Sequence, residues 1–230
     1  MTLKEKLQMD TNGLIAHGPV NIAFFGDSVT HGCFEDGVFD FDAVYHAKLA
    51  RMLHRDYPTI PVNIINAGIG GITAQTSLPR LHRDVISHHP DLAVVCFGLN
   101  DVNDTVEEYT AALHQIFQAL GEAGIPTVFL TPNMLNTYVD EPNTSPAFLD
   151  YARVTCAYQT SGKMDAFMEA ARTCAAAHGV KVCDCYRLWQ QMAAKGVDTT
   201  RLLVNRLNHP TREMHQLFAD ELYRMIREEL

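Results

Sequence analysis

Five short, near-continuous apolar runs constrain this chain more than any other feature of its sequence: Val20 to Phe25, Val62 to Asn66, Leu92 to Phe97, Pro126 to Leu130 and Val180 to Cys183. None keeps up the strict alternation of a strand with one wet face, so each reads as a strand covered on both sides. Between them lie longer stretches of helical periodicity at Asp42 to His54, Thr73 to His88, Val106 to Ala123, Lys163 to His178 and Thr211 to Glu229. In the last of these, Met214, Leu217, Phe218, Leu222, Met225 and Ile226 recur on one face while Arg212, Glu213, Arg224, Arg227 and Glu228 fill the other. Buried strands that alternate with helices are parallel, and their crossovers are right-handed. The expected fold is therefore α/β, a three-layer α/β/α sandwich with a flavodoxin-like, doubly wound parallel sheet of about five strands. With 230 residues and 47% apolar content, the chain can bury the core of one such domain over residues 1–230. Residues 1–18 read as an N-terminal extension. Residues 133–162, rich in Asn and Thr and carrying Tyr138, Phe148, Tyr151 and Tyr158, read as an insertion able to line a pocket.

Composition removes several classes of function. A net charge of −9 without a basic face argues against a nucleic-acid partner. No apolar run reaches the length of about 18 residues needed to span a bilayer, and the N-terminus lacks the apolar core of a secretion signal, so no membrane insertion and a cytoplasmic location are expected. The six cysteines are scattered, and Cys183-Asp184-Cys185 has no second pair at zinc-finger spacing. Reduced core thiols, no metal and no cofactor are the expectation. Oligomeric state is left open.

Chemistry-bearing residues sit where the strands end. Gly26-Asp27-Ser28 follows the first strand, which leaves a serine hydroxyl at the carboxyl edge of the sheet, where ligands of open α/β folds bind. Asn66-Ala67-Gly68-Ile69-Gly70-Gly71-Ile72-Thr73 follows the second and offers free backbone N–H groups at a helix start. Gly98-Leu99-Asn100-Asp101 follows the third and adds a side-chain amide. His209-Pro210 stands before the last helix. Acyl transfer by serine needs such a set: a nucleophile, an imidazole to take its proton, and donors for the developing oxyanion.

These four blocks, in this order, resemble those of the SGNH (GDSL) hydrolase family, and Arg80-Leu81 through His89-Pro90-Asp91 resembles its link between the second and third blocks. The resemblance covers residues 20 to 225. It implies Ser28 as nucleophile, His209 as general base and then acid, and an oxyanion hole formed by the Ser28 N–H, the Gly71 N–H and the Asn100 side chain. Gly68 and Gly70 are alternative donors. Asp27, Thr30 and Asp101 are read as loop-holding residues, His215 as structural, and His31, His82, His88 and His89 as solvated or capping.

The chain departs from that family where an aspartate usually stands three residues before the histidine, because that position is Arg206. With one inserted residue the equivalent is Asn205, which is no carboxylate either. The imidazole is therefore expected to be oriented by Asn205, by a backbone carbonyl, or by a carboxylate from elsewhere. The resulting expectation is a serine esterase acting on short acyl, chiefly O-acetyl, esters of sugars or other small polar metabolites. Alternatives are a lysophospholipase- or thioesterase-type hydrolase, an acyltransferase on the same site, and, more remotely, a nucleotide-binding or catalytically inactive binding domain.

Overall fold

The computed structural model describes residues 1–228 and 230. Five parallel strands form one sheet: β1 (Val20–Gly26), β2 (Val62–Gly68), β3 (Leu92–Cys96), β4 (Thr127–Leu130) and β5 (Lys181–Cys183), in the order β2-β1-β3-β4-β5. That order is the flavodoxin-like one, with the switch in winding direction between β1 and β3. Every residue of the internal strand β3 is buried, whereas the edge strands β2 and β5 carry exposed Asn63 and Lys181. The register pairs Gly26 with both Gly68 and Cys96, so β1, β2 and β3 end at one level. The loops that follow them meet at the same sheet edge.

Six helices of ten residues or more cover the two faces among the described residues: α1 (Tyr45–Asp56), α2 (Val106–Glu122), α3 (Leu149–Thr160), α4 (Lys163–Ala177), α5 (Cys185–Ala194) and α6 (Met214–Glu228). Helices α1, α5 and α6 pack together, as do α2, α3 and α4. The apolar stripe of α6 is confirmed as core, with Phe218, Leu222, Met225 and Ile226 all buried.

Three departures from the sequence reading have local causes. The stretch Thr73 to His88 is broken into single turns, Ala74–Ser77, Leu78–Arg80, Leu81–Asp84 and Ile86–His88, because Pro79 cannot donate to a continuing helix. Helices α3 and α5 lie outside the expected set, although Asp184 caps α5 by accepting from the Arg187 N–H and its Cys185, Tyr186 and Trp189 are buried. Helix α6 starts at Met214 and not at Thr211; the Thr211 N–H bonds to the Leu202 carbonyl at 2.9 Å, which holds that residue to the preceding hairpin. The expected last residue of that helix, Glu229, lies outside the described residues. The N-terminal segment also joins the core: Leu3 and Leu7 are buried, and Lys6 pairs at 2.8 Å with Asp91, which accepts the Asn21 N–H. All six cysteines are free thiols. Among the described residues no helix is long and apolar enough to cross a membrane, and no cluster of three or more His, Cys, Asp or Glu side chains could hold a metal ion.

Candidate active site

At the end of β1 the chain makes a single helical turn, Ser28–His31, whose first residue is the serine. Asp27 caps the turn through a 3.0 Å bond from the Val29 N–H to its Oδ1. Two glycines make the close approach possible. A Cβ on Gly26 would collide with the Thr30 hydroxyl and the Cys96 carbonyl, and one on Gly68 would collide with the backbone of His31. The Thr30 hydroxyl is further tied to the Tyr45 hydroxyl at 2.9 Å, and its carbonyl accepts from His46 at 3.0 Å. Ser28 is thus presented by a turn that its neighbours hold on every side.

The Ser28 hydroxyl lies 2.9 Å from Nε2 of His209. The other ring nitrogen, Nδ1, lies 2.8 Å from the Phe34 carbonyl, which can only accept. Nδ1 therefore carries the proton, and Nε2 faces the hydroxyl with its lone pair. Burial pushes the His209 imidazole below the ordinary histidine value, an effect that the Phe34 carbonyl partly offsets. The ring is neutral near pH 7, which is the state a general base requires.

Asn205 is placed differently from the expectation, because it does not reach the imidazole. Its Oδ1 accepts from the backbone N–H groups of Leu207, Asn208 and His209 at 3.0 to 3.1 Å, and its Nδ2 donates to the Asn208 side chain. Asn205 closes the tight hairpin that delivers His209; the atom on Nδ1 belongs to Phe34. Arg206 sits at the hairpin tip with φ 61°, and its guanidinium turns away toward Asp140 and the carbonyls of Arg201 and Leu203.

The glycine turn sorts its own donors. The Gly68 N–H goes to Asn66 Oδ1, Ile69 to the Gly26 carbonyl, and Gly70 to His31 Nδ1, at 3.0 to 3.2 Å. Gly71 is left with no partner for its N–H among the described residues, it lines the cavity beside Ser28, and it holds φ 79°, a conformation suited to glycine. The Ser28 N–H opens its helical turn and has no carbonyl four residues back to bond. Asn100 donates one N–H to the Ile72 carbonyl at 3.0 Å and lines the same cavity, which leaves its second N–H available. Three donors therefore border one space next to the serine.

Two further carboxyls lie beneath. Burial pushes Asp27 and Asp101 up to about 7 against the hydrogen bonds they accept, from Val29 and Ala74 respectively. Both act on loop backbone, in line with the reading of the sequence. His215 is fully buried, with Nδ1 accepting the Tyr45 N–H, and His31 holds the glycine turn while packing on Phe39.

A cavity of about 580 Å³ opens over this group. Its walls are the loop carrying Cys33, Glu35, Asp36 and Phe39, the segment carrying Asn143, Ser145, Phe148 and Tyr151, and the hairpin from Val204 to His209. Phe34 meets His209 through its main-chain carbonyl, which leaves no mark in residue type.

Residues 24–217 match the model of the GDSL-like lipase/acylhydrolase family. An acetylxylan esterase of Geobacillus stearothermophilus is 33% identical over 86 residues, a stretch covering 35% of this chain and 39% of that relative, so the match spans about two fifths of the relative's length. The crystal structure of Axe2, an acetylxylan esterase from the same organism, superposes with a TM-score of 0.69 at 22% identity over 91% of this chain and 95% of that one. That of the acetyl xylan esterase AlAXEase gives 0.70 at 21% over 89% and 98%. At such identities both show a shared fold. Catalytic mutants of Axe2 at a serine, an aspartate and a histidine have also been solved, its aspartate three positions before its histidine.

Proposed function

The chain belongs to the GDSL-like lipase/acylhydrolase family, and from that premise we propose that it is a serine esterase working through an acyl-enzyme. The observation that carries the reading is the Ser28 hydroxyl bonded to a neutral His209, with Nδ1 held by the Phe34 carbonyl, beside three unspent N–H donors. In the reaction, His209 Nε2 takes the proton as Ser28 Oγ adds to the acyl carbonyl. The Ser28 and Gly71 N–H groups and the Asn100 amide receive the oxyanion, a contribution worth about 10²–10³ in turnover per donor. Collapse breaks the ester bond, and the leaving alkoxide takes the proton from Nε2. Water then repeats the sequence on the acyl-serine with His209 again as base.

The substrate we propose is a short acyl, chiefly O-acetyl, ester of an uncharged sugar or similar polar molecule. The walls pair aromatic faces, Phe39, Phe148 and Tyr151, with the amides of Asn143, Asn205 and Asn208, a mixture suited to a ring with apolar faces and hydroxyl edges. Asp36 faces the same space, Glu35 beside it is paired with Arg212, and no lysine or arginine is among the described lining residues. A wall that presents no unpaired cation offers little to the phosphates of a thioester carrier or a lysophospholipid. The acetylxylan esterases reported above point the same way. Specificity constants for p-nitrophenyl acetate, p-nitrophenyl octanoate, acetylated xylooligosaccharides and an acyl-coenzyme A test this. The acetyl esters should lead; octanoate favoured tenfold, with no acetate released from any saccharide, would overturn the assignment.

A further inference from the structure

Resting on the esterase reading, the geometry points to Arg212 as a positioning residue for His209, replacing at one remove the orienting work of the aspartate that this chain lacks. The starting observation is that the acceptor for Nδ1–H is a main-chain carbonyl in a loop, Phe34, while the position where the aspartate is expected holds an arginine aimed elsewhere. A carboxylate side chain is fixed by its own backbone and rotamer. A loop carbonyl is only as well placed as the loop itself.

The backbone bonds of that loop stay within it and the nucleophile turn: the Cys33 N–H reaches the Ser28 carbonyl, the Phe34 N–H the Val38 carbonyl, the Val38 N–H the Glu35 carbonyl and the Asp40 N–H the Gly32 carbonyl. Arg212 ties the loop to the segment that carries His209. Its Nη1 and Nη2 fork onto both oxygens of Glu35 at 2.8 and 3.1 Å, its Nε donates to Asp40 Oδ2 at 2.9 Å, and its guanidinium lies 4.4 Å over the Phe34 ring. The same ring packs against His215, at 4.6 Å between centroids. One side chain thus grips the residue after the carbonyl, the end of the loop and the ring of Phe34 itself. It does so from a position three residues beyond His209, across Pro210, so the imidazole and its acceptor are locked to the same short segment.

The contact is a planar, bidentate one with a second carboxylate on the third nitrogen, a pattern that lysine cannot reproduce. The pairs are partly open to solvent, with the Arg212 side chain 35% exposed, so their contribution to overall stability is small. Their effect falls on geometry, where a displacement of about 1 Å in a reacting group costs on the order of 10² in rate.

The test compares wild type, Arg212→Gln and Arg212→Lys with p-nitrophenyl acetate, alongside the rate at which a fluorophosphonate probe labels Ser28. Arg212→Gln should lower kcat by roughly 10- to 100-fold, slow labelling in parallel and leave KM within about threefold, with Arg212→Lys between the two. If Arg212→Gln does not fold, Glu35→Gln/Asp40→Asn removes the same clamp from its other side and should show the same kcat and labelling loss. A folded clamp variant whose kcat stays within twofold of wild type, or whose whole defect lies in KM, overturns the inference. Wild type that neither hydrolyses esters nor labels at Ser28 would instead overturn the esterase reading on which it rests.

Discussion

A side-chain carbonyl that collects three backbone N–H groups does more for a site than its distance from the chemistry suggests. Asn205 was legible as a polar residue near His209, yet its role was not, because spacing tells which residues are neighbours in sequence and not which atom faces which. In the structure its Oδ1 closes the hairpin that aims the imidazole. Asn205→Ala removes the acceptor and leaves those N–H groups to find other partners, at about 1–3 kcal/mol. Turnover of p-nitrophenyl acetate should fall about tenfold, and urea denaturation should show lost stability, while Asn205→Asp, which keeps the acceptor, should stay close to wild type. A silent Asn205→Ala would show that the hairpin holds without it. Ser28 and Asn100 stand out in the sequence because each is a residue type suited to the proposed role and lies just after a strand, whereas His209 stands before the last helix and Gly71 is preferred over Gly68 and Gly70 only by the family's spacing. The Phe34 carbonyl has no such signature, since every residue carries one.

Elements with two covered faces announce themselves. All five strands were readable as apolar runs, and their parallel pairing followed from the helices between them. The elements that escaped are those whose local signals conflict, such as the turns around Pro79, and helix α5, which starts directly after the short edge strand β5. One of those turns matters to the site. Arg80, on the turn Leu78–Arg80, sends Nη1 to the Ala67 carbonyl at 2.6 Å and Nη2 to the Gly26 carbonyl at 3.3 Å, while lying over the Phe25 ring at 4.5 Å. It ties the ends of β1 and β2, from which the nucleophile turn and the glycine turn spring. Arg80→Met keeps the stem but takes the guanidinium from the Ala67 carbonyl, leaves the Gly26 carbonyl to the Ile69 N–H alone and loses the Asp84 pair, so unfolding in urea should reveal a loss of roughly 1–3 kcal/mol. Activity should fall as well, since both donor loops lose a common anchor. Unchanged stability would mean that the strand ends are fixed by the sheet alone.

Across the whole molecule, buried titratable groups give stability an unusual dependence on pH. Asp27 and Asp101, raised to about 7 by burial, keep their protons in the folded state after the unfolded chain has released them near the ordinary value of about 4. Their burden is absent below about pH 4, grows as pH rises, and is complete above about pH 7. His46, His209 and His215, all lowered by burial, act in the opposite sense: they hold stability above about pH 6.5 and lose it as pH falls. The carboxyl effect is therefore read as a difference. Asp101→Asn, which retains the acceptor for the Ala74 N–H, should gain melting temperature relative to wild type between pH 5 and pH 8; a constant difference would show that Asp101 is ionised throughout. The fold brings these groups under one catalytic surface, and everything proposed for that surface depends on Ser28 being its nucleophile. Peptide mapping by mass spectrometry after reaction with a fluorophosphonate decides this. The account predicts one adduct, on Ser28, with esterase activity lost in proportion and neither label nor turnover in Ser28→Ala; an adduct on another residue, or Ser28→Ala retaining more than about a tenth of wild-type turnover, would contradict it.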